Sequence, residues 1–123
     1  MPALSEEEVE RRLPLWIALA DLFLDGGPPD LAGAVVRAAR AGGFSTADVR
    51  HILENEVGPV FYPNLLSVAG HWGAWGDDFV REKISGYLAD KPLSGLERTA
   101  ARRVTKLAID EEWPAIVAGI EQS

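Results

Sequence analysis

The chain has 123 residues, of which 47% are hydrophobic and 25% are charged, and it contains no cysteine. This length and composition predict one globular domain, residues 1–123, whose single hydrophobic core needs no disulfide. The absence of cysteine excludes disulfides, thiolate zinc sites and cysteine nucleophiles. The formal net charge of −7 argues against nucleic acid and anionic membranes as partners, and it favours a basic protein.

The N-terminal segment predicts a cytoplasmic protein and one amphipathic helix. Its residues MPALSEEEVERR carry acids where a secretory signal carries bases. Ser5 and Glu8 have the spacing of a capping box, so the first helix is expected to begin near Glu6. The apolar stretch that follows, residues 13–24, is too short to span a bilayer and contains a proline and an aspartate.

Glycine and proline predict the limits of two further helices. Residues 25–30, DGGPPD, end the first helix, and a second helix is expected over residues 31–41, before a Gly-Gly pair. A capping box at Ser45 begins the third helix. The Gly-Pro pair at residues 58–59 is expected to end that helix.

The stretch from residue 58 to residue 76, GPVFYPNLLSVAGHWGAWG, differs from the rest of the chain. It holds four glycines, two prolines and four aromatic residues, with hardly any charge. Residues 60–62 have the composition of a short strand, but no second candidate strand exists to pair with them. We therefore predict a packed, irregular connection with one short helix over residues 65–69.

The last third of the chain predicts further helices. One begins at Asp77 or Asp78 and ends at the Lys-Pro pair of residues 91–92. The next begins at a third capping box, at Ser94, and Pro114 separates it from a final apolar helical segment. The sum is an all-α fold, a compact bundle of five or six helices around one core.

No pattern in the sequence predicts catalytic residues, a cofactor or a metal site, so we expect a protein that is not an enzyme. His51 and His71 are the only histidines, and they lack the spacing of two ligands on one helical face. No nucleophile elbow, Walker loop or dinucleotide-binding glycine pattern occurs. Asp21 is expected to lie towards the core, where a carboxylate needs a partner such as Arg37 or Arg40.

The run GHWGAWG, residues 70–76, is the most unusual feature of the sequence. Two tryptophans followed by two aspartates have the composition of an aromatic anchor with an acidic rim, which is typical of protein interfaces. In the alternative interpretation, both tryptophans close the hydrophobic core from a loop. The predicted partner-binding residues are Trp72, Trp75, Asp77, Asp78, Glu54 and Glu56.

Three phrases carry a resemblance to a known family: LPLWIALADLFLD, ENEVGPVFYPNLLSVAGHWGAW and DDFVREKISGYL. They resemble a family of small bacterial cytoplasmic proteins catalogued only as a domain of unknown function, and the likeness extends over residues 4–88. The resemblance implies a helical, single-domain protein and carries over no catalytic residue. In size, charge and helicity the chain also resembles the immunity proteins of bacterial toxin systems, many of which bind their toxins directly.

Three hypotheses about function follow from these observations. The first is an immunity-type protein that binds and neutralises a cognate basic toxin or effector through the predicted partner-binding residues. The second is a small enzyme or ligand-binding domain with a pocket between the first helix and residues 58–76, using Asp21, His71 or Tyr62. The third is an obligate homodimer, because the first and last helices offer more apolar surface than short helices need.

Overall fold

Helices make up most of the part of the chain that the structure describes. The structure is a computed structural model that describes residues 4–24, 30–66, 75–90 and 93–122. Over these ranges it contains six helices of seven residues or more, two four-residue helices and no strand, which confirms the all-α prediction. In chain order the helices are α1 (Glu6–Ala20), α2 (Leu31–Gly42), α3 (Thr46–Ile52), α4 (Gly58–Phe61), α5 (Pro63–Leu66), α6 (Asp77–Asp90), α7 (Gly95–Ile109) and α8 (Trp113–Glu121). None of these helices is long and apolar enough to cross a membrane.

Capping side chains begin the helices where the sequence predicts them. At α1, the Ser5 hydroxyl accepts a hydrogen bond of 3.2 Å from the backbone N–H of Glu8. At α3 the capping box is reciprocal, because Ser45 accepts from the Asp48 amide while the Asp48 carboxylate accepts from the Ser45 amide. A reciprocal box of the same kind begins α7. Gly43, with φ of 73°, ends α2 in the left-handed conformation that favours glycine.

The helical backbone continues through residues 58–59, so the predicted end of the third helix is wrong. After α3 the chain forms a π turn over Leu53–Val57 and passes directly into α4. The Gly58 amide donates to the carbonyl oxygen of Leu53, five residues earlier. Pro59 has no amide hydrogen, and its ring would crowd the carbonyl four residues before it in a regular helix. The wider turn accommodates that ring, and the proline then lies in the first turn of α4.

Residues 58–66 are also more regular than the sequence predicts. The helices α4 and α5 replace the first half of the predicted irregular connection. The short helix predicted over residues 65–69 begins earlier, at Pro63. The rest of that prediction falls on residues 67–74, which lie outside the described residues. Glycine and proline content alone is therefore a poor guide to irregular structure in this segment.

A single cluster of buried apolar side chains extends from α1 to α8. The second half of α1 lies at its centre, with Leu15, Trp16 and Leu19 fully buried. The α1 helix packs against α2 and α6, and α2 packs against α8. The prediction that the apolar half of the first helix is central to the fold is confirmed.

Candidate functional site

Three aromatic side chains pack together between α4 and the start of α6. The rings of Trp75 and Phe79 are stacked, with centroids 5.7 Å apart and an angle of 4° between their planes. The buried ring of Phe61 lies beneath them, 4.8 Å from Trp75. Trp75 is half-buried, whereas Phe79 is 44% exposed. We call the exposed parts of Trp75 and Phe79 the aromatic surface.

The indole of Trp75 is held in place from inside the protein. Its N–H donates a hydrogen bond of 2.8 Å to the carbonyl oxygen of Ala20, the last residue of α1. This bond fixes the indole against the end of α1, where the chain continues into a 3₁₀ turn over Asp21–Phe23. The core-closing interpretation is confirmed for Trp75, which packs against the core and also stacks on the exposed Phe79, whereas its role as an interface anchor stays a prediction.

Two carboxylates border the aromatic surface. Asp77 and Asp78 form the first turn of α6, where the helix dipole favours negative charge. Both are exposed, and neither forms an ion pair with another residue that the structure describes. Lys83 lies one turn further along and contacts the Phe79 ring, with its Nζ 5.5 Å from the centroid. The structure therefore brings Trp75, Asp77 and Asp78 together, while Trp72 lies outside the described residues.

The other two predicted residues belong to the π turn. Glu56 is only 4% exposed, and it accepts a hydrogen bond of 2.8 Å from the indole N–H of Trp16 and a second from Arg12. Glu54 is partly exposed and pairs with Arg50 at 2.7 Å. A buried carboxylate with two donors is a structural group, and its burial leaves little of it for a protein partner to contact. Contrary to the prediction, Glu56 is not part of a surface available to a partner.

A cavity that the sequence analysis did not find lies between the start of α1, the π turn, the end of α6 and the start of α7. Its volume is about 930 Å³. Three consecutive residues of the π turn line it, namely Glu54, Asn55 and Glu56. We call it the polar cavity; its other charged lining residues are Glu8, Arg12, Arg98 and Arg102, and the His51 imidazole lies among them. The lining comes from four separated segments, so no local motif could have revealed it.

Arginines neutralise the acidic residues of the polar cavity. Glu8 accepts from Arg11 at 2.8 Å and from Arg12 at 2.9 Å. The hydrogen bond from Arg12 holds the pKa of Glu8 below its ordinary value, although burial acts in the opposite direction. Arg12 also pairs with Glu56, so a single guanidinium bridges α1 and the π turn.

The pocket predicted between the first helix and residues 58–76 takes a different form. A depression of about 440 Å³ lies between α4, α5 and α6, but neither Asp21 nor Tyr62 lines it, and His71 lies outside the described residues. Asp21 has no ion pair within the described ranges, and Arg37 pairs with Asp30 at 3.3 Å instead. Burial raises the pKa of Asp21. Within those ranges no group of three or more acidic or histidine side chains is placed to hold a metal ion.

The chain matches a protein family over most of its length. The model of a family described as "Domain of unknown function (DUF7079)" matches residues 10–118. This result confirms the resemblance to a family of unknown function. No curated protein and no solved structure matches the chain significantly. The matched range includes the aromatic surface and most of the lining of the polar cavity.

Proposed function

The chain belongs to the DUF7079 family, and we propose that it is a non-enzymatic, cytoplasmic protein of immunity type that binds and neutralises a basic bacterial toxin or effector. The observation that carries this proposal is the stacked pair at the aromatic surface. Phe79 is 44% exposed and yet rests on a tryptophan that is hydrogen-bonded to the backbone of α1. Such a ring offers apolar contact area to a partner and loses little side-chain entropy when it binds.

Electrostatics favour a basic partner for this surface. The chain carries a formal net charge of −7, and Asp77 and Asp78 are exposed beside the aromatic rings. Because neither carboxylate has an ion pair among the described residues, both can pair with lysine or arginine of a partner. Acidic groups of this kind steer the encounter, whereas a well-packed aromatic residue supplies most of the affinity.

Neutralisation requires only that the bound protein covers the active site or the binding surface of its target. The immunity-type role is supported by the resemblance of this chain, in size, charge and helicity, to small acidic proteins that act in that way. We place the complex in the bacterial cytoplasm on the same grounds. The proposal therefore separates into a binding step, which the aromatic surface carries, and a protective effect, which follows from occlusion.

The binding step is tested by capture from the native host with tagged protein at low and moderate salt. We expect a single basic protein to co-purify stoichiometrically with the unaltered chain. The Phe79→Ala variant should bind that protein at least about tenfold more weakly, since truncating a central aromatic anchor costs 2 kcal/mol or more. Leu107→Ala is the matched control, because Leu107 is 72% exposed on α7 and lies outside the aromatic surface.

Equal binding by the unaltered chain, Phe79→Ala and Leu107→Ala would show that the aromatic surface is not the interface. The protective effect needs a separate test, in which the gene that encodes the captured partner is expressed. We expect expression of the partner alone to arrest growth, and co-expression of the unaltered chain, but not of Phe79→Ala, to restore it. A partner that binds but causes no arrest would contradict the immunity role. A dimer in light scattering that Phe79→Ala dissociates would instead identify the surface as a contact between two copies.

A further inference from the structure

We propose that the polar cavity binds a small organic phosphate, with the phosphate group held by Arg98 and Arg102. The cavity volume of about 930 Å³ lies within the range of small-molecule sites, roughly 300–1,000 Å³. The cavity shares no lining residue with the depression at the aromatic surface. The proposal is therefore independent of the protein-binding function.

The acids that face the cavity are already paired with arginines. Glu8 binds two arginines of α1, and Glu54 binds Arg50. Glu56 binds Arg12 and also accepts the indole N–H of Trp16. A positively charged ligand would have to share these carboxylates with arginines that repel it, so the cavity is poorly suited to a cation.

Two cations of the lining, by contrast, have no acidic partner among the described residues. Arg98 and Arg102 lie one turn apart on α7, both are exposed, and neither forms an ion pair with any residue in the described part of the chain. Like charges at this spacing repel each other, and an anion between them would remove that repulsion. A phosphate monoester brings up to two negative charges and oxygens that guanidinium groups bind in bidentate fashion.

The carbon skeleton of the ligand would lie against apolar side chains of the cavity. Tyr87, Leu88 and Pro59 supply apolar area to the same cavity, enough to cover a carbon skeleton attached to the phosphate. The Asn55 side chain is fixed by a hydrogen bond of 2.9 Å from its amide to the His51 carbonyl oxygen. Its own carbonyl oxygen can accept from a ligand hydroxyl. Asn55 belongs to the π turn, and π turns of this kind are frequent at functional sites.

To test this proposal, the full chain is titrated separately with phenyl phosphate, inorganic phosphate, benzoate and phenol. Binding is monitored by the NMR chemical shifts of the backbone amide groups. Phenyl phosphate should bind with a dissociation constant below about 1 mM and shift the amides of Tyr87, Arg98 and Arg102. Inorganic phosphate should bind at the same place more weakly, because it lacks the ring. Benzoate and phenol should bind at least about tenfold more weakly than phenyl phosphate, because they lack the doubly charged group.

Two double variants provide the matched comparison. The double variant with Arg98→Gln and Arg102→Gln should bind phenyl phosphate at least about tenfold more weakly. Each of its two substitutions removes charged hydrogen-bond donors. Arg103→Gln with Lys106→Gln removes the same charge from exposed positions of the same helix that do not line the cavity. Binding to this control should stay within about twofold of the unaltered chain. Thermal unfolding of both variants verifies that they fold.

Several results would overturn the proposal. Equal weakening in both double variants would show that only the general charge of α7 attracts the probe. Benzoate binding as tightly as phenyl phosphate would rule out recognition of a phosphate group. Inorganic phosphate binding as tightly as phenyl phosphate would rule out an organic ligand. The absence of any shift with phenyl phosphate at about 10 mM would exclude the site itself.

Discussion

Two regions of this protein combine tryptophan with acidic residues, and they behave in opposite ways. In the interior, the indole N–H of Trp16 points at Glu56, which also binds Arg12 and is 4% exposed. At the aromatic surface, the indole N–H of Trp75 points inwards to a backbone carbonyl oxygen, and the neighbouring aspartates stay exposed. The partner of the indole N–H therefore distinguishes a buried network, in which the acid is bound, from a surface cluster beside which the aspartates are exposed.

This difference predicts different consequences of mutation in the two regions. Substitutions in the interior network should lower the free energy of unfolding, because they leave buried polar groups without partners. Substitution of the exposed Phe79 should cost less stability than this, about 1 kcal/mol for the lost stacking, and should act mainly on binding. Measurements of stability are therefore a direct way to challenge the assignment of each region.

The largest effect is expected for Glu56→Ala. Removal of this carboxylate leaves the guanidinium of Arg12 with one acidic partner and the buried indole N–H of Trp16 with none. Breaking a buried pair by removing one partner costs about 3–5 kcal/mol of unfolding free energy. Urea denaturation followed by circular dichroism measures the loss.

Glu54→Ala is the control for that substitution, two residues away in the same π turn. Its partly exposed pair with Arg50 should contribute less than about 1 kcal/mol. Similar losses for Glu54→Ala and Glu56→Ala would contradict the interior role of Glu56. In that case the two glutamates would be equivalent surface acids, as the sequence analysis treated them.

A smaller loss is expected for Gly58→Ala, next to the π turn. A Cβ atom at this position would lie 2.5 Å from the Thr105 hydroxyl oxygen and 2.9 Å from the Leu53 carbonyl oxygen. The second contact is with backbone, which cannot move without changing the π turn. We expect a loss of about 1–3 kcal/mol of unfolding free energy, typical of overpacking.

Gly86→Ala provides the control for this effect, because Gly86 is exposed within α6 and a Cβ atom there meets nothing within 4 Å. Replacing an unstrained helical glycine by alanine should raise the unfolding free energy by roughly 0.5–1 kcal/mol. The two substitutions should therefore have opposite signs in the same urea experiment. A stabilising Gly58→Ala would show that α4 does not pack against α7 as closely as the structure indicates.

The sequence predicts local features of this fold better than it predicts what the helices bring together. Capping boxes at Ser45 and Ser94 depend on residues three apart, so their positions are confirmed. The prediction that the Gly58-Pro59 pair ends a helix is wrong because a π turn provides space for the proline ring. Such a turn has no simple sequence signal. Burial of Glu56 depends on Arg12 and Trp16, which lie 44 and 40 positions earlier in the chain.

The candidate sites, too, were predictable only where their residues are close together in sequence. Trp75 and the aspartates that follow it are neighbours in sequence, and the structure keeps them together. The polar cavity joins residues of α1, the π turn, α6 and α7, so its composition becomes visible only when these helices are packed. Of the six predicted partner-binding residues, only those close together in sequence form a common surface in the described part of the chain.

The smallest effect uses pH to compare Asp48, a carboxylate with hydrogen-bond donors, and Asp21, a carboxylate with none among the described residues. Hydrogen bonds from the Ser45 backbone and side chain hold the pKa of Asp48 below its ordinary value of 3.8, whereas burial raises the pKa of Asp21 above it. Asp48 therefore contributes stability at neutral pH that is lost as the pH falls below about 3.8 towards its lower folded pKa. Asp21 has the opposite sign, because its contribution is complete below that value and is lost as the pH rises through its higher folded pKa.

The Asp→Asn variants at these two positions should consequently respond in opposite directions. At neutral pH, Asp48→Asn should lower the unfolding free energy by less than about 1 kcal/mol, because Asp48 is exposed and the asparagine oxygen can still accept from the Ser45 amide, while Asp21→Asn should raise it. Near pH 3 the difference between Asp21→Asn and the unaltered chain should disappear, and that for Asp48→Asn should shrink. Urea midpoints at the two pH values measure both effects. If Asp21→Asn destabilises at neutral pH, the ionised carboxylate has a stabilising partner, and burial without donors no longer distinguishes Asp21 from Glu56.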